Sequence, residues 1–204
     1  AAEACKDSKL LTTFILSTDS AKYAEIGRRY GAETPFLRPA RLAEDVPSED
    51  VVKHALLTTE ERLKCEPFDL VCTIQPTTPF LIGEDIDKCI EALSLNGYDS
   101  SMTVTKVKER PEWMFFLEAG VLHPLQNQKL NGEWGIRQSY PELYIPNGGC
   151  YCTRRDVLLK ENRIIGSRVY GVVMPHIRSV DIDDMDDLQI ARALVNTLEE
   201  VYNR

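Results

Sequence analysis

Hydrophobic and polar positions alternate along this chain in blocks that favour strands and helices in turn. Helical spacing of apolar residues predicts helices over residues 19–30, from 47 onward, over 85–95 and over 185–202. Short apolar runs predict strands at 12–17, 69–74, 101–107, 149–153, 169–173 and 178–183. Strands that alternate with helices indicate an α/β sheet covered by helices on both faces.

The alternation stops between Lys106 and Tyr144. Aromatic residues cluster there, Gly120 offers a turn, and no helical period is visible. We expect β-hairpins, or an excursion from the main sheet, in this segment. Because the chain contains no repeat, low-complexity tract or Pro/Ser-rich linker, we expect residues 1–204 to form a single domain.

Composition narrows the class of protein. The 204 residues are 43% hydrophobic and 27% charged, and their net charge of -8 argues against binding to nucleic acid or to an anionic membrane. No apolar run approaches the roughly 20 residues that a bilayer requires, and the first residues do not resemble a signal peptide. Six cysteines without C-x-x-C spacing suggest reduced thiols. We therefore expect an acidic, soluble, cytoplasmic protein.

Polar residues follow several predicted strands, where α/β sheets bind their ligands. In the run from Ser17 to Ser20, Asp19 is expected to cap the next helix, as Ser48 could cap a later one. Gln75-Pro76-Thr77-Thr78-Pro79 holds an amide and two hydroxyls on a stiff turn, which suits sugar or phosphate oxygens, although a rigid turn alone would explain the prolines. The paired glycines of 147–151 allow close approach to a ligand, or form a bulge.

Five aspartates lie within seven positions near the C-terminus, which is the densest charge in the chain. Three of them suit the positive end of a helix dipole, namely Asp184, Asp186 and Asp187. Asp181 and Asp183 would face the same side of a strand, where paired carboxylates suit Mg²⁺ together with the phosphates of a nucleotide. As cations for phosphate or carboxylate groups we consider Arg38 and Arg137.

Seven segments in this order resemble the acylneuraminate cytidylyltransferases, or CMP-sialic acid synthetases, and their bacterial relatives. They are Ser17-Thr18-Asp19, Tyr30-Gly31-Ala32, Phe36-Leu37-Arg38-Pro39, Gln75-Pro76-Thr77-Thr78-Pro79, Arg137-Gln138, Asn147-Gly148-Gly149-Cys150-Tyr151 and Ser179-Val180-Asp181-Ile182-Asp183. The resemblance implies a mostly parallel, Rossmann-like nucleotidyltransferase sheet. It also implies a reaction in which CTP and a nine-carbon keto acid sugar give the CMP-sugar and pyrophosphate.

The resemblance assigns roles to individual residues. Asp181 and Asp183 would hold Mg²⁺, while Arg38 and Ser48 would belong to the nucleotide pocket. Gln75 would lie between nucleotide and sugar and take part in catalysis. The sugar would be lined by Thr77, Arg137 and Tyr151. Residues 106–144 would form a dimerisation subdomain, which makes the expected partners CTP, the sugar and a second copy of the chain.

One departure from the family pattern concerns the triphosphate. The family begins with a strand and a loop of the type I-P-A-R-G-G-S-K-G-I-P-x-K-N, and nothing like it occurs in residues 1–204. We therefore expect little activity from residues 1–204 alone. The residues leave three other functions open: a nucleotidyltransferase for a legionaminic, pseudaminic or KDO-type sugar, a glycosyltransferase with a D-x-D metal motif, and a nucleotide-sugar binding protein without turnover.

Overall fold

The helices and strands of the protein follow the alternation that the sequence predicts. A computed structural model describes residues 1–94, 97–125 and 141–202. Its α-helices are α1 (Ala2–Asp7), α2 (Ala21–Arg29), α3 (Ser48–Leu63), α4 (Gly83–Ser94) and α5 (Met185–Tyr202). Its strands are β1 (Leu70–Ile74), β2 (Ser100–Lys106), β3 (Phe115–Glu118), β4 (Val121–Pro124), β5 (Tyr144–Arg154) and β6 (Val169–Val173).

The central sheet has four strands in the order β1-β5-β2-β6. Strands β2 and β6 pair in parallel, whereas β5 pairs antiparallel with both β1 and β2. Three of the four strands therefore run in one direction, and the predicted mostly parallel α/β sheet is confirmed. Because β5 runs the opposite way, its N-terminal half lies beside the ends of β1 and β2, where Ile74 faces Cys150.

Helices cover both faces of this sheet because side chains alternate along each strand. On one face, Cys72 and Cys152 pack with Ile86 and Cys89 of α4. On the other face, Val71 and Tyr151 pack with Leu56 of α3 and with Leu158. Leu158 belongs to a short π-helix, Val157–Glu161, that the sequence patterns do not predict. All six cysteines are free thiols, as their spacing suggests.

Two predicted strands are wrong in the structure. Residues 12–17 are extended but form only a parallel bridge, between Ile15 and Glu33. Residues 178–183 do not form a strand, because a short 3₁₀ helix, His176–Arg178, follows Pro175 and turns the chain out of the sheet. A loop then leads from Ser179 to α5.

The excursion after β2 contains the expected hairpin in the part that the structure describes. Strands β3 and β4 pair antiparallel as a separate two-stranded sheet, in which Leu117 faces Leu122. The tight turn between them places Ala119 and Gly120 at positive φ, +47° and +84°. Among the helices of the described residues, none is long and apolar enough to cross a membrane.

Candidate active site

Two loops meet at the edge of the sheet, one after β1 and one after β6. The backbone N–H of Ile182 donates to the carbonyl oxygen of Thr77 at 2.9 Å. This hydrogen bond lays the loop that carries Asp181 and Asp183 against the Gln-Pro-Thr-Thr-Pro loop. Two of the segments that the sequence singled out therefore lie side by side in the structure.

Gly148 of β5 provides the third part of this site. Its φ is +74°, a conformation that favours glycine. A Cβ atom added to Gly148 would lie 2.8 Å from Asp181 Oδ2, 3.0 Å from Gln75 Oε1 and 3.2 Å from Thr78 Oγ1. Three polar side chains from two loops thus converge on the α-carbon of one glycine, and the glycine is required there because a larger residue would displace them.

Asn147, whose role the sequence does not reveal, holds this arrangement together. Its Nδ2 donates to Ser179 Oγ at 2.9 Å, and its Oδ1 accepts a hydrogen bond from the N–H of Gly149 at 3.3 Å. Its backbone carbonyl accepts from Thr78 Oγ1, also at 3.3 Å. One buried asparagine therefore links the loop after β6, the loop after β1 and strand β5. The only signal in the sequence was its place before paired glycines.

The carboxylate of Asp181 is partly buried beside Gly148. Its Oδ1 is buried and has no hydrogen-bond partner among the described residues, and a buried carboxylate oxygen in that state requires a cation or a donor. Asp183 is exposed, two residues further along the loop. The strand geometry that predicted a shared face does not apply, since the segment is a loop. In residues 1–94, 97–125 and 141–202, no group of three or more His, Cys, Asp or Glu side chains could hold a metal.

Three neighbouring aspartates lie at the start of α5, as the helix dipole favours: Asp186 and Asp187 are in its first turn, and Asp184 precedes it. Asp184 Oδ1 accepts hydrogen bonds from the N–H groups of Asp186 and Asp187, at 2.8 and 3.0 Å. Asp187 Oδ2 in turn accepts from the N–H groups of Asp183 and Asp184. This reciprocal arrangement is a capping box. The carboxylates of Asp184 and Asp187 are thereby occupied by the helix.

Tyr151 is half-buried on the α3 face of the sheet. Burial raises the pKa of its hydroxyl above the ordinary value, and the negative charge of Asp181 raises it further. Tyr151 therefore stays a neutral hydroxyl near Asp181, able to donate or accept a hydrogen bond.

Arg38 lies in a second cluster of polar groups. Its backbone N–H donates to the backbone carbonyl of Thr18 at 2.8 Å, and its side-chain Nη2 is 3.7 Å from Asp19 Oδ1. Asp19 was expected to cap α2, but the cap is the neighbouring Ser20, whose Oγ accepts a hydrogen bond from the N–H of Tyr23. No hydrogen bond or ion pair in the described part of the chain joins Arg38 to Gln75 or Asp181.

His54 of α3 joins this second cluster, which sequence reasoning did not find. Its ring meets Phe36 edge-on, with centroids 5.1 Å apart. Burial lowers the pKa of His54, and the positive charges of Arg41 and Arg38 lower it further. Buried atoms of His54 (Nδ1), Arg38 (Nε) and Ser17 (Oγ) have no hydrogen-bond partner among the described residues. These polar atoms could receive a ligand.

Of the other expected site residues, Ser48 makes no side-chain hydrogen bond with either cluster among the described residues. Ser48 is exposed and is the first residue of α3, whose N-cap position falls on Pro47, so Ser48 does not cap the helix as expected. Arg137 lies outside the described residues.

Sequence reasoning also missed a buried ion pair next to the first cluster, which consists of the side chains of Gln75, Thr78 and Asp181 around Gly148. The guanidinium of Arg178 binds both oxygens of Asp85, with Nη1 at 2.5 Å from Oδ2 and Nη2 at 3.1 Å from Oδ1. Asp85 lies in the first turn of α4, 93 positions away in sequence. No local pattern signals a pair at that separation, because an acid in a first turn is explained by the helix dipole.

Comparison with known proteins agrees with this arrangement. The family model described as cytidylyltransferase matches residues 1–133. A CMP-N,N'-diacetyllegionaminic acid synthase of Campylobacter jejuni is 32% identical over 197 residues, which cover 94% of this chain and 80% of the relative. An N-acylneuraminate cytidylyltransferase of Escherichia coli is 26% identical over 218 residues, covering 99% of this chain and 48% of the relative.

A solved structure shows the same fold. The structure of CMP:2-keto-3-deoxy-manno-octonic acid synthetase complexed with CTP superposes with a TM-score of 0.61 at 13% identity, covering 96% of this chain and 86% of that one. With the family model, the relatives, the fold and the converging loops in agreement, the chain belongs to the cytidylyltransferase family of nucleotidyltransferases, as its resemblance to the acylneuraminate cytidylyltransferases implied.

Proposed function

We propose that this cytidylyltransferase activates a nine-carbon keto acid sugar of the acylneuraminate type. The oxygen of the sugar's anomeric hydroxyl attacks the α-phosphorus of CTP and loses its proton to solvent, while the bond from that phosphorus to the bridging oxygen breaks and pyrophosphate leaves. The observation that carries the proposal is the convergence of Gln75, Thr78 and Asp181 on Gly148. Glycine adopts the positive φ there without a steric penalty, and its lack of a side chain leaves room for three polar groups at one point.

The residues present fit a magnesium ion. Asp181 would hold it through the buried Oδ1 that has no partner within the described residues, and the exposed Asp183 would be the second carboxylate. Mg²⁺ suits one or two carboxylates completed by phosphate oxygens and water, which is compatible with a site that lacks a third protein ligand among the described residues. When bound, the ion would neutralise negative charge on the phosphate oxygens.

The remaining residues would bind and orient the substrates. The Gln75 amide is exposed beside Asp181, where it can orient a sugar hydroxyl or a phosphate oxygen. Thr77 and the neutral hydroxyl of Tyr151 would line the sugar side, and Arg137 would pair with the sugar carboxylate. In the second cluster, Arg38 would contact the nucleotide, with Ser48 at the rim. Such transfers depend mainly on positioning and charge neutralisation.

A second candidate substrate is a legionaminic acid. The support for it is the relative from Campylobacter jejuni, which is named as a CMP-N,N'-diacetyllegionaminic acid synthase and has the higher identity of the two relatives. Both sugars share the carboxylate and the anomeric hydroxyl on which the chemistry depends. They differ in the substituents of the ring and side chain.

The test is pyrophosphate release by the full-length gene product. The protein is incubated with MgCl₂ and CTP, and acylneuraminic, legionaminic, pseudaminic and KDO-type acids are supplied in turn. We expect turnover with acylneuraminic acid to have the highest kcat/KM, and no release when UTP or ATP replaces CTP. A higher kcat/KM with another sugar would reassign the substrate. Binding of a CMP-sugar without turnover of any acid would refute the proposal and favour a binding protein.

We also propose that the protein is a homodimer joined through residues 106–144. The hairpin β3–β4 exposes a set of large apolar side chains to solvent, namely Phe116, Leu117, Val121 and Leu122. Leu117 and Leu122 face each other across the hairpin, and clustered exposed apolar side chains of this kind typically mark a protein interface. A second copy of the chain, which presents the same hairpin, would cover it.

A further inference from the structure

Arg178 is anchored next to the loops of the first cluster by its bonds to Asp85 and Phe80. It ends the 3₁₀ helix His176–Arg178 and is 7% exposed. Its partner Asp85 is 2% exposed, and the Oδ2 atom of Asp85 also accepts a hydrogen bond from the N–H of Ile82. A third bond runs from Arg178 Nη1 to the carbonyl oxygen of Phe80, at 3.1 Å. The guanidinium fork is thus fixed to the start of α4 and to the end of the Gln-Pro-Thr-Thr-Pro loop.

These bonds hold the two site loops together at both ends. At one end Arg178 binds the carbonyl of Phe80, and at the other end Ile182 binds the carbonyl of Thr77. Asp181 lies between the two attachment points. Its loop is also held from the side, where Ser179 Oγ accepts from Asn147 Nδ2. The position of the Asp181 carboxylate is therefore determined by the attachment of its loop.

Stability alone does not explain the buried pair. Two buried charges lose their hydration, and their attraction often does no more than repay that loss, so apolar residues of similar volume usually serve folding as well. What apolar residues cannot supply is a directional attachment of the loop after β6 at three points, two on Asp85 of α4 and one on the carbonyl of Phe80. The pair therefore contributes a defined loop conformation.

We propose that Arg178, held by Asp85, is a positioning residue that sets Asp181 for the metal–nucleotide complex. The inference rests on the proposed function, because it requires a metal for Asp181 to bind. Arg178 acts through the loop and touches neither metal nor substrate. Loss of the attachment should therefore weaken metal binding and lower kcat while leaving the fold in place.

The test replaces the pair together, as Asp85→Leu with Arg178→Met, so that no buried charge is left without a partner. Mn²⁺ binding in the presence of CTP is measured by electron paramagnetic resonance on the full-length protein, alongside thermal unfolding and steady-state kinetics. We expect Mn²⁺ to bind about tenfold more weakly and kcat to fall by a similar factor, with the thermal midpoint close to wild type.

A matched control exists in the same chain. Arg155 and Glu60 form a second, partly buried ion pair between β5 and α3. The double variant Glu60→Leu with Arg155→Met removes it by the same substitutions, and we expect its Mn²⁺ binding to equal that of wild type. If the Asp85/Arg178 double variant does not fold, Arg178→Lys provides the comparison, since it keeps the charge but loses the fork. It should then weaken Mn²⁺ binding several-fold.

The outcomes separate the two proposals. If wild-type protein binds Mn²⁺ with CTP and the Asp85/Arg178 variant binds it equally well, the positioning role is wrong and the proposed function stands. The same holds if the control variant loses binding to the same extent. If the wild-type protein binds no Mn²⁺ in the presence of CTP, both proposals are overturned.

Discussion

Replacing Gly148 by alanine tests whether the converging side chains form a working site. The backbone φ of +74° costs an alanine roughly 1–2 kcal/mol. The new Cβ would also lie 2.8 Å from Asp181 Oδ2, closer than real Cβ contacts, so the carboxylate or the strand must move. Overpacking at a buried position typically adds about 1–3 kcal/mol. We therefore expect Gly148→Ala to lose about 2–5 kcal/mol of unfolding free energy in total.

The larger consequence should appear in activity. The exposed Gln75 side chain can swing away from the new methyl group, but Asp181 is held by its loop. Displacing the carboxylate by a few tenths of an ångström would alter the geometry of the proposed metal site, and misplacement approaching 1 Å costs about a hundredfold in rate. We expect kcat to fall by about tenfold to a hundredfold, measured by pyrophosphate release.

Gly120→Ala is the matched control, because it isolates the backbone cost. Gly120 has a φ of +84°, and a Cβ added there would meet nothing within 4 Å. It should lose only the roughly 1–2 kcal/mol of the left-handed conformation and retain full activity. If Gly148→Ala matched this control in urea unfolding and in turnover, the close approach of Asp181 to Gly148 would have no functional meaning.

Three further predictions concern charge, pH and assembly. Asp183→Asn should lower Mg²⁺-dependent turnover at least about tenfold with an unchanged fold. Asp184→Asn removes the same charge but can still cap α5, so its turnover should not fall. Equal effects of the two variants in the pyrophosphate assay would show that Asp183 has no specific role in turnover. Because the pKa of folded His54 is lowered, its contribution to stability should be complete above about pH 6.5 and decline as the pH falls towards that lower pKa. In His54→Gln this part of the pH dependence should disappear from urea titrations, and its persistence would assign the effect to another group. Leu117→Glu, at a side chain 71% exposed, should halve the mass seen by light scattering while the thermal midpoint changes little, and a wild-type monomer would contradict the dimer.

The elements of the fold could be predicted where a single period runs uninterrupted. The bounds of α5 and β6 agree with the pattern of apolar residues, and in α5 the buried residues Ala191 and Leu198 lie at helical spacing. The segment after Arg178 misled the prediction. Asp181-Ile182-Asp183 alternates like a strand, but Pro175 and the 3₁₀ turn remove it from the sheet before any ladder can form.

The loops that carry the candidate site could be singled out from the sequence. Gln75 and Asp181 are polar residues that a turn does not require, and this excess marked them in the sequence. The residues that hold them were not predictable, because their signal is tertiary. Asp85 looks like an ordinary first-turn acid until Arg178 is placed against it, 93 positions along the chain.

The antiparallel strand β5 has a consequence for how this protein becomes competent to bind. The site draws on residues near positions 75, 148 and 181, which meet only after β5 has inserted between β1 and β2. These contacts span long loops, whose closure must be completed before any of them forms, and such topologies fold slowly. The cluster around Gly148 therefore forms only in chains that have completed the sheet. A ligand that recognises the finished arrangement stabilises the folded chain by mass action, so substrate supply and the lifetime of the native protein are thermodynamically linked.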